Sequence, residues 1–328
     1  MARRGTRARC EEEVSRFRIL SIDGGGIKGV FPAAFLAEIE GALGLRSAAE
    51  YFDLIAGTSV GGILALGLGL GLSAQDLVKF LTELGPSVFP PSSRPSVRLL
   101  LGLVRYDPEP LREGLSRVFG TRTLAESHSR LLIPSFDAKK ADIHIYKTAH
   151  CARLMMDYRV EALEVAMSTA AAPTYFPAYD STNRITLVDG AVWANNPVAL
   201  AVVEAITLLG QKPEDIDVLS VGTTEEVLDF QPKWHSGLFW LTRGIFAAMR
   251  GQSRSALGMA QHLTGRDKGA DKILRVDPPV SSGRYRIDGV KQIEELRGLG
   301  YSEARHRLPY VRDRFFDKQC EPFVSLHK

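Results

Sequence analysis

A chain of 328 residues is long enough for one large domain with a sizeable core, and 45% hydrophobic with 24% charged residues is the composition of a folded globular protein; disorder and a multi-span membrane protein are both excluded. Forty-one basic against 38 acidic residues leave a net charge of +3, too even a balance to imply a nucleic-acid polymer as partner. Cys10, Cys151 and Cys320 are odd in number and far apart, which fits neither a disulfide framework nor a zinc site and points to a reducing, cytoplasmic setting.

In chain order, residues 1–16 begin with four arginines but continue into Glu11–Glu13 where a signal peptide would be apolar, so they read as a solvated tail. Phe17–Ile22 is a β-favouring apolar run, followed by the loop Asp23-Gly24-Gly25-Gly26-Ile27-Lys28-Gly29 and a helix from Pro32 with Phe35, Ile39 and Leu43 on one stripe. Tyr51–Ala56 predicts a second strand, a turn at Gly57–Gly62 and a helix over Ile63–Leu68. Leu54–Leu72 is free of charge over nineteen residues, yet its six glycines argue for strand, turn and helix over a membrane span.

Ser73 with Asp76 predicts a capping box for a helix to Leu84, and the prolines at 86, 90, 91 and 95 predict a loop or lid. Strands are expected at Leu131–Phe136, Ile143–Lys147, Ile185–Val188, Asp217–Val221 and Lys272–Val276, with helices near Ala162–Ala170 and from Asn196-Pro197 to Leu209. Strands alternating with helices imply a mainly parallel sheet covered on both faces, with ligands beyond the strand C-termini. Gly24, Ser59 and Asp189 each follow a strand, which predicts three loops on one sheet edge.

Gly57-Thr58-Ser59-Val60-Gly61 is a G-x-S-x-G sequence between strand and helix, the setting of a nucleophile elbow; the alternative is a serine in an ordinary tight turn. The glycine loop also satisfies G-x-G-x-x-G, but a dinucleotide site would end the next strand in an acid, and this strand ends in Ser59. In the other reading the N–H groups of Gly24, Gly25 and Gly26 form an oxyanion hole. For the base, His235, His262, His306 and His327 follow in the order of a triad, and Asp189 offers a direct base if burial raises its pKa.

Together, Asp23–Gly29, Gly57–Gly61, Ala171-Ala172-Pro173-Thr174-Tyr175-Phe176-Pro177 and Asp189-Gly190-Ala191 resemble the four ordered blocks of the patatin-like phospholipases. The resemblance implies a three-layer α/β/α fold, Ser59 as nucleophile, Asp189 as base, Gly24–Gly26 as oxyanion donors and no metal or organic cofactor. Ala191 stands where many relatives carry glycine. Ile19–Glu38 and Leu66–Ser73 are further similar to bacterial anti-phage patatin effectors switched on by cyclic dinucleotides. That likeness implies a membrane phospholipid substrate met by peripheral contact at the inner face of the membrane, a cyclic dinucleotide activator, and room for a homo-oligomer.

The organisation expected is a catalytic core at 17–222 and a mainly helical extension at 223–328. Arg243, Arg250, Arg254, Trp234 and Tyr285 are candidates for holding a nucleotide, while Val97–Val104 and Trp234–Arg250 have the amphipathic make-up of interfacial segments or of ordinary core and oligomer contacts. The remaining alternatives are an ungated lipase, a nucleotide-binding oxidoreductase and an inactive ligand-binding module.

Overall fold

A computed structural model describes residues 16–90, 104–227, 237–266, 269 and 271–327. Strand β1 (Phe17–Ile22) leads through the glycine loop into α1 (Val30–Leu43), and β2 (Leu54–Gly57) leads through the serine turn into α2 (Val60–Gly69). The capping box forms as expected at the start of α3 (Ala74–Val88), but Pro86 does not end that helix. It lies in the last turn, so the one hydrogen bond it removes is to the Thr82 carbonyl, and the helix closes on either side of it, with Phe89 still donating to the Gly85 carbonyl at 2.9 Å.

After α4 (Glu109–Phe119) come β3 (Arg130–Asp137), β4 (Asp142–Lys147), α5 (Ala162–Thr169), β5 (Tyr179–Asp180) and β6 (Thr186–Asp189). A short α6 (Ala191–Ala194), α7 (Val198–Thr207) and β7 (Ile216–Val221) follow. The remainder holds β8 (Glu225–Val227), α8 (Gly237–Leu263), β9 (Ile273–Val276), β10 (Pro279–Ser281) and α9 (Ile293–Phe315).

An eight-stranded mixed sheet runs β5-β6-β3-β2-β1-β7-β9 with β4 on β3, and the pairs β1–β2, β1–β7, β2–β3 and β7–β9 are parallel. Side chains alternate across it. Ile19, Leu54, Val218 and Ile273 pack with α7 and Ala256 and Ala260 of α8 on one face, while Leu20, Ile55, Leu219 and Val276 pack with α1, α2, α3 and α9 on the other. Apolar demand on both faces explains why these strands read as continuous hydrophobic runs. The expected three-layer α/β/α patatin-like architecture is therefore present, and β9, from the C-terminal third, completes the sheet beside β7.

The way the sheet brings the site together differs from three parallel loops. Leu132 pairs with both Ala56 and Lys147, and Ser135 with both Asp189 and His144. β4 therefore occupies one edge of β3, while β2 and β6 share the other edge end to end. β2 is parallel to β3 and β6 antiparallel, so their C-termini face each other across Ile133 and Pro134. This head-on meeting places Asp189 above the turn that carries Ser59.

Pro134 fits its place for the same reason. A proline inside a strand costs a ladder hydrogen bond, but here its N would point into the stretch between β2 and β6, where no strand pairs. Its carbonyl accepts the Thr169 hydroxyl at 2.6 Å.

The charge-free segment Leu54–Leu72 resolves into β2, a turn and the wholly buried α2. No helix among the described residues is long and apolar enough to cross a membrane.

Candidate active site

Ser59 has φ 56° and ψ −125°, a left-handed backbone that side chains rarely adopt and that costs roughly 1–3 kcal/mol. Its neighbours have to be glycine. A Cβ on Gly57 would lie 2.1 Å from the Gly61 carbonyl oxygen, and one on Gly61 would lie 2.4 Å from that of Ile22. The Ser59 N–H donates to Thr169 Oγ1 at 3.0 Å, so one threonine joins the elbow to the gap at Pro134. α2 starts directly after Ser59 and turns its positive end toward the hydroxyl.

Asp189 is 2% exposed, and the nearby Ser59 side chain favours its ionised form. The Asp189 carboxylate accepts the Ala191 N–H at 2.7 Å, while the residue's own N–H donates to the Ala171 carbonyl at 3.0 Å. The contact with Ala191 runs through that residue's backbone, so alanine in place of glycine leaves it intact. Burial pushes the Asp189 carboxyl up to about 7, against the lowering effect of Ser59 and of the Ala191 N–H. A carboxyl at that value can hold or release a proton near neutrality, as a general base must.

The histidines are placed elsewhere. His262 lies in the last turn of α8 and His306 in α9, His327 approaches the Ala152 carbonyl at 3.2 Å, and none of these is a partner of Ser59 or Asp189. His235 lies outside the described residues.

The glycine loop is pinned on several sides, and this changes the expected donor set. Gly24 already donates its N–H to the Asn195 carbonyl at 3.0 Å, whereas no acceptor for the N–H groups of Gly25 and Gly26 is found among the described residues. Of the three N–H groups expected to serve as oxyanion donors, that of Gly24 is engaged within the fold. The Gly24 carbonyl accepts the Thr223 hydroxyl at 3.0 Å, and Ile27 donates to the Ile287 carbonyl at 2.9 Å. Gly29 allows close helix packing, since a Cβ there would lie 2.3 Å from Val60 Cγ2. The third glycine of the dinucleotide-like pattern thus serves contact with α2.

Beneath the loop, the guanidinium of Arg275 on β9 grips Asp23 through both nitrogens at 2.8 and 2.6 Å and also reaches Ser220 and Asp277 at 2.8 and 2.7 Å. Lys28 is buried close by, and desolvation lowers its pKa against the pull of Glu226, Asp277 and Asp23. Arg275, Thr169, Thr223 and Asn195 were not legible as site residues. They lie far from Ser59 in sequence, and the only available signal is a polar residue inside an apolar run, Arg275 within Ile273–Val276.

Among the other candidates, Arg250 and Arg254 both pair with Glu225, and Tyr285 is 3% exposed. The side chains of Trp234 and Arg243, residues 91–95 of the 86–95 loop and Val97–Leu103 lie outside the described residues.

A serine on a strained strand-to-helix turn, close to a buried carboxylate and a glycine loop, is the arrangement expected of a serine hydrolase. A family model described as patatin-like phospholipase matches residues 20–202, and the chain belongs to that family. It is 36% identical over 214 residues to a protein of Pseudomonas aeruginosa named cGAMP-activated phospholipase, covering 64% of this chain and 63% of that one. A protein of the same name from Vibrio cholerae serotype O1 is 34% identical over 245 residues, 68% of each chain. Patatin-like protein 2 of Oryza sativa subsp. indica is 33% identical over 253 residues, 67% of this chain and 61% of that one. This chain therefore spans about two thirds of the length of these relatives.

Proposed function

We propose that this chain hydrolyses fatty-acyl esters of membrane phospholipids through Ser59 and Asp189, and that a cyclic dinucleotide switches the activity on. The observation that carries the hydrolase reading is the strained turn that sets Ser59 at the start of α2 beside the buried Asp189 carboxylate, which burial raises to about 7. Asp189 takes the serine proton as the oxygen attacks the ester carbonyl, and the N–H groups of Gly25 and Gly26 hold the oxyanion. Asp189 passes that proton to the departing alcohol, leaving an acyl-serine that water hydrolyses with Asp189 again as base. The glycine loop spends its first N–H internally, which argues against a dinucleotide site and the oxidoreductase reading.

The gating half of the proposal rests on the two bacterial relatives, whose names state activation by cGAMP. A phospholipase at the inner face of its own membrane would be harmful if always active, which favours a resting state released by a ligand. Shifting such a two-state population from about 1:99 to 99:1 takes roughly 5.5 kcal/mol of differential binding.

The test is release of fatty acid from phospholipid vesicles by the full chain, with and without cGAMP, alongside Ser59→Ala. Hydrolysis that needs the nucleotide and vanishes in Ser59→Ala supports both halves. Full activity without nucleotide leaves an ungated lipase, and activity that survives Ser59→Ala overturns the mechanism.

A further inference from the structure

We propose that the acyl chain of the substrate is held in the cavity between α4 and the end of α5, on the Asp189 side of the dyad. The proposal rests on the reading of Ser59 and Asp189 as an ester-hydrolysing pair and adds where, and how far, the chain is accommodated. The cavity measures about 200 Å³, and its walls include Leu111, Met167, Ala170, Ala171, Phe176 and Ala178.

Its position follows from the last turn of α5. The Thr169 hydroxyl holds the Ser59 N–H and the Ala171 carbonyl holds the Asp189 N–H, while Ala170 between them and Met167 one turn earlier face the cavity. Successive Cα atoms are about 3.8 Å apart, so the apolar wall begins within one residue of the backbone atoms that fix the dyad. The cavity and the backbone contacts of Ser59 and Asp189 thus share one helix end.

The walls explain both the room and its limit. Alanines at 170, 171 and 178 leave space that larger side chains would fill. Phe176 is braced by the rings of Phe89 and Tyr106, with centroids 6.0 and 6.2 Å away, so that wall is stiff. The remaining boundary is polar: the Arg112 guanidinium lies over the Tyr179 ring at 5.5 Å, and Asp180 also lines the cavity. Methylene groups gain nothing by passing a guanidinium and a carboxylate, so the Arg112–Tyr179 pair ends the favourable path and sets a chain-length preference.

The experiment uses p-nitrophenyl esters of acetate, butyrate, octanoate, laurate and palmitate with the full chain, in the presence and absence of cGAMP. Room for a methylene in a hydrophobic pocket is worth about tenfold or more in kcat/KM. Ala178→Phe is expected to cut hydrolysis of octanoate and laurate by that factor while acetate stays within about twofold. Arg112→Leu is expected to move the optimum to longer chains.

An unchanged ratio of long to short esters in both variants overturns the proposal, as does an equal loss on every ester with unaltered thermal unfolding. A second measurement is independent of turnover. A diazirine-bearing fatty acid irradiated with the Ser59→Ala chain is expected to label the segments 108–112 and 167–180, and labelling confined elsewhere overturns the proposal. Absence of any ester hydrolysis by wild type would fall on the dyad reading, and the labelling pattern would still decide the pocket.

Discussion

At the residue scale, the informative quantity is the environment of Asp189. A serine beside a solvated carboxylate gains little, because a free aspartate with a pKa of about 3.9 is a weak base. Burial raises Asp189 to about 7, so the base form accumulates through neutrality, and kcat/KM on a soluble ester is expected to rise with pH and level off above about 7. Ser59→Ala and Asp189→Asn are each expected to lose about three orders of magnitude or more in kcat, and the double variant little beyond that, because the pair acts as a unit. The same burial has a stability consequence. A carboxyl whose folded pKa lies above its unfolded value holds its proton more tightly when folded, so its contribution falls as pH rises from about 4 to about 7. Asp189→Asn removes that cost. Calorimetry is expected to find the variant melting a few degrees above wild type at about pH 8, at about 2 °C per kcal/mol, and level with it near about pH 4. A gain independent of pH would assign the effect to something other than the buried charge.

At the element scale, the decisive feature is that β2 and β6 share one edge of β3 with their C-termini opposed. Thr169 fills the space between them, with its hydroxyl on the Pro134 carbonyl and its oxygen under the Ser59 N–H. Thr169→Val keeps the shape and removes both bonds, which is expected to cost about 1–3 kcal/mol in urea unfolding and to lower kcat on a short ester with KM little changed. KM rising with kcat unchanged would show that Thr169 serves substrate binding instead. The longer strands of the sheet, helices α1 and α2 and the two glycine-flanked turns were legible in the sequence because each is a local pattern: an apolar run, then G-x-G or G-x-S-x-G, then a helical stripe; the helix at Glu109–Phe119 and the short strands β5, β8 and β10 were not. Asp189 was legible as the residue ending a strand, but the direction of that strand was not. Thr186–Asp189 carries no mark of antiparallel pairing, since which edge of β3 stays open depends on β4 and on Pro134, some fifty residues earlier. Pro86 was misread for a related reason, because a proline's effect depends on its distance from the helix end, which Val88 sets.

At the scale of the whole molecule, the C-terminal third is part of the site's foundation. β9 extends the sheet beyond β7, and α9 packs so closely on α1 that a Cβ on Gly300 would lie 2.5 Å from the Phe31 carbonyl oxygen. The Ile287 carbonyl takes the Ile27 N–H at the far side of the glycine loop. A ligand or partner that moved this region would therefore act on Gly25 and Gly26 through covalently short, buried connections. The strongest is Arg275, which pairs with Asp23 and Asp277 at once. Arg275→Ala takes the paired cation from the buried Asp23 and leaves only Lys28 nearby, and loss of one partner from a buried pair costs about 3–5 kcal/mol. The sign of its pH dependence follows from burial, which already works to raise the Asp23 carboxyl. Without the guanidinium Asp23 holds its proton still more tightly than in wild type, so the penalty is expected to be smallest at about pH 5, where Asp23 is protonated in both folded forms, and to grow toward about pH 9. Urea unfolding of wild type and Arg275→Ala at both ends of that range measures the difference. A penalty that stays constant with pH would make Arg275 a packing residue, and a variant as stable as wild type would mean that β9 does not anchor the glycine loop.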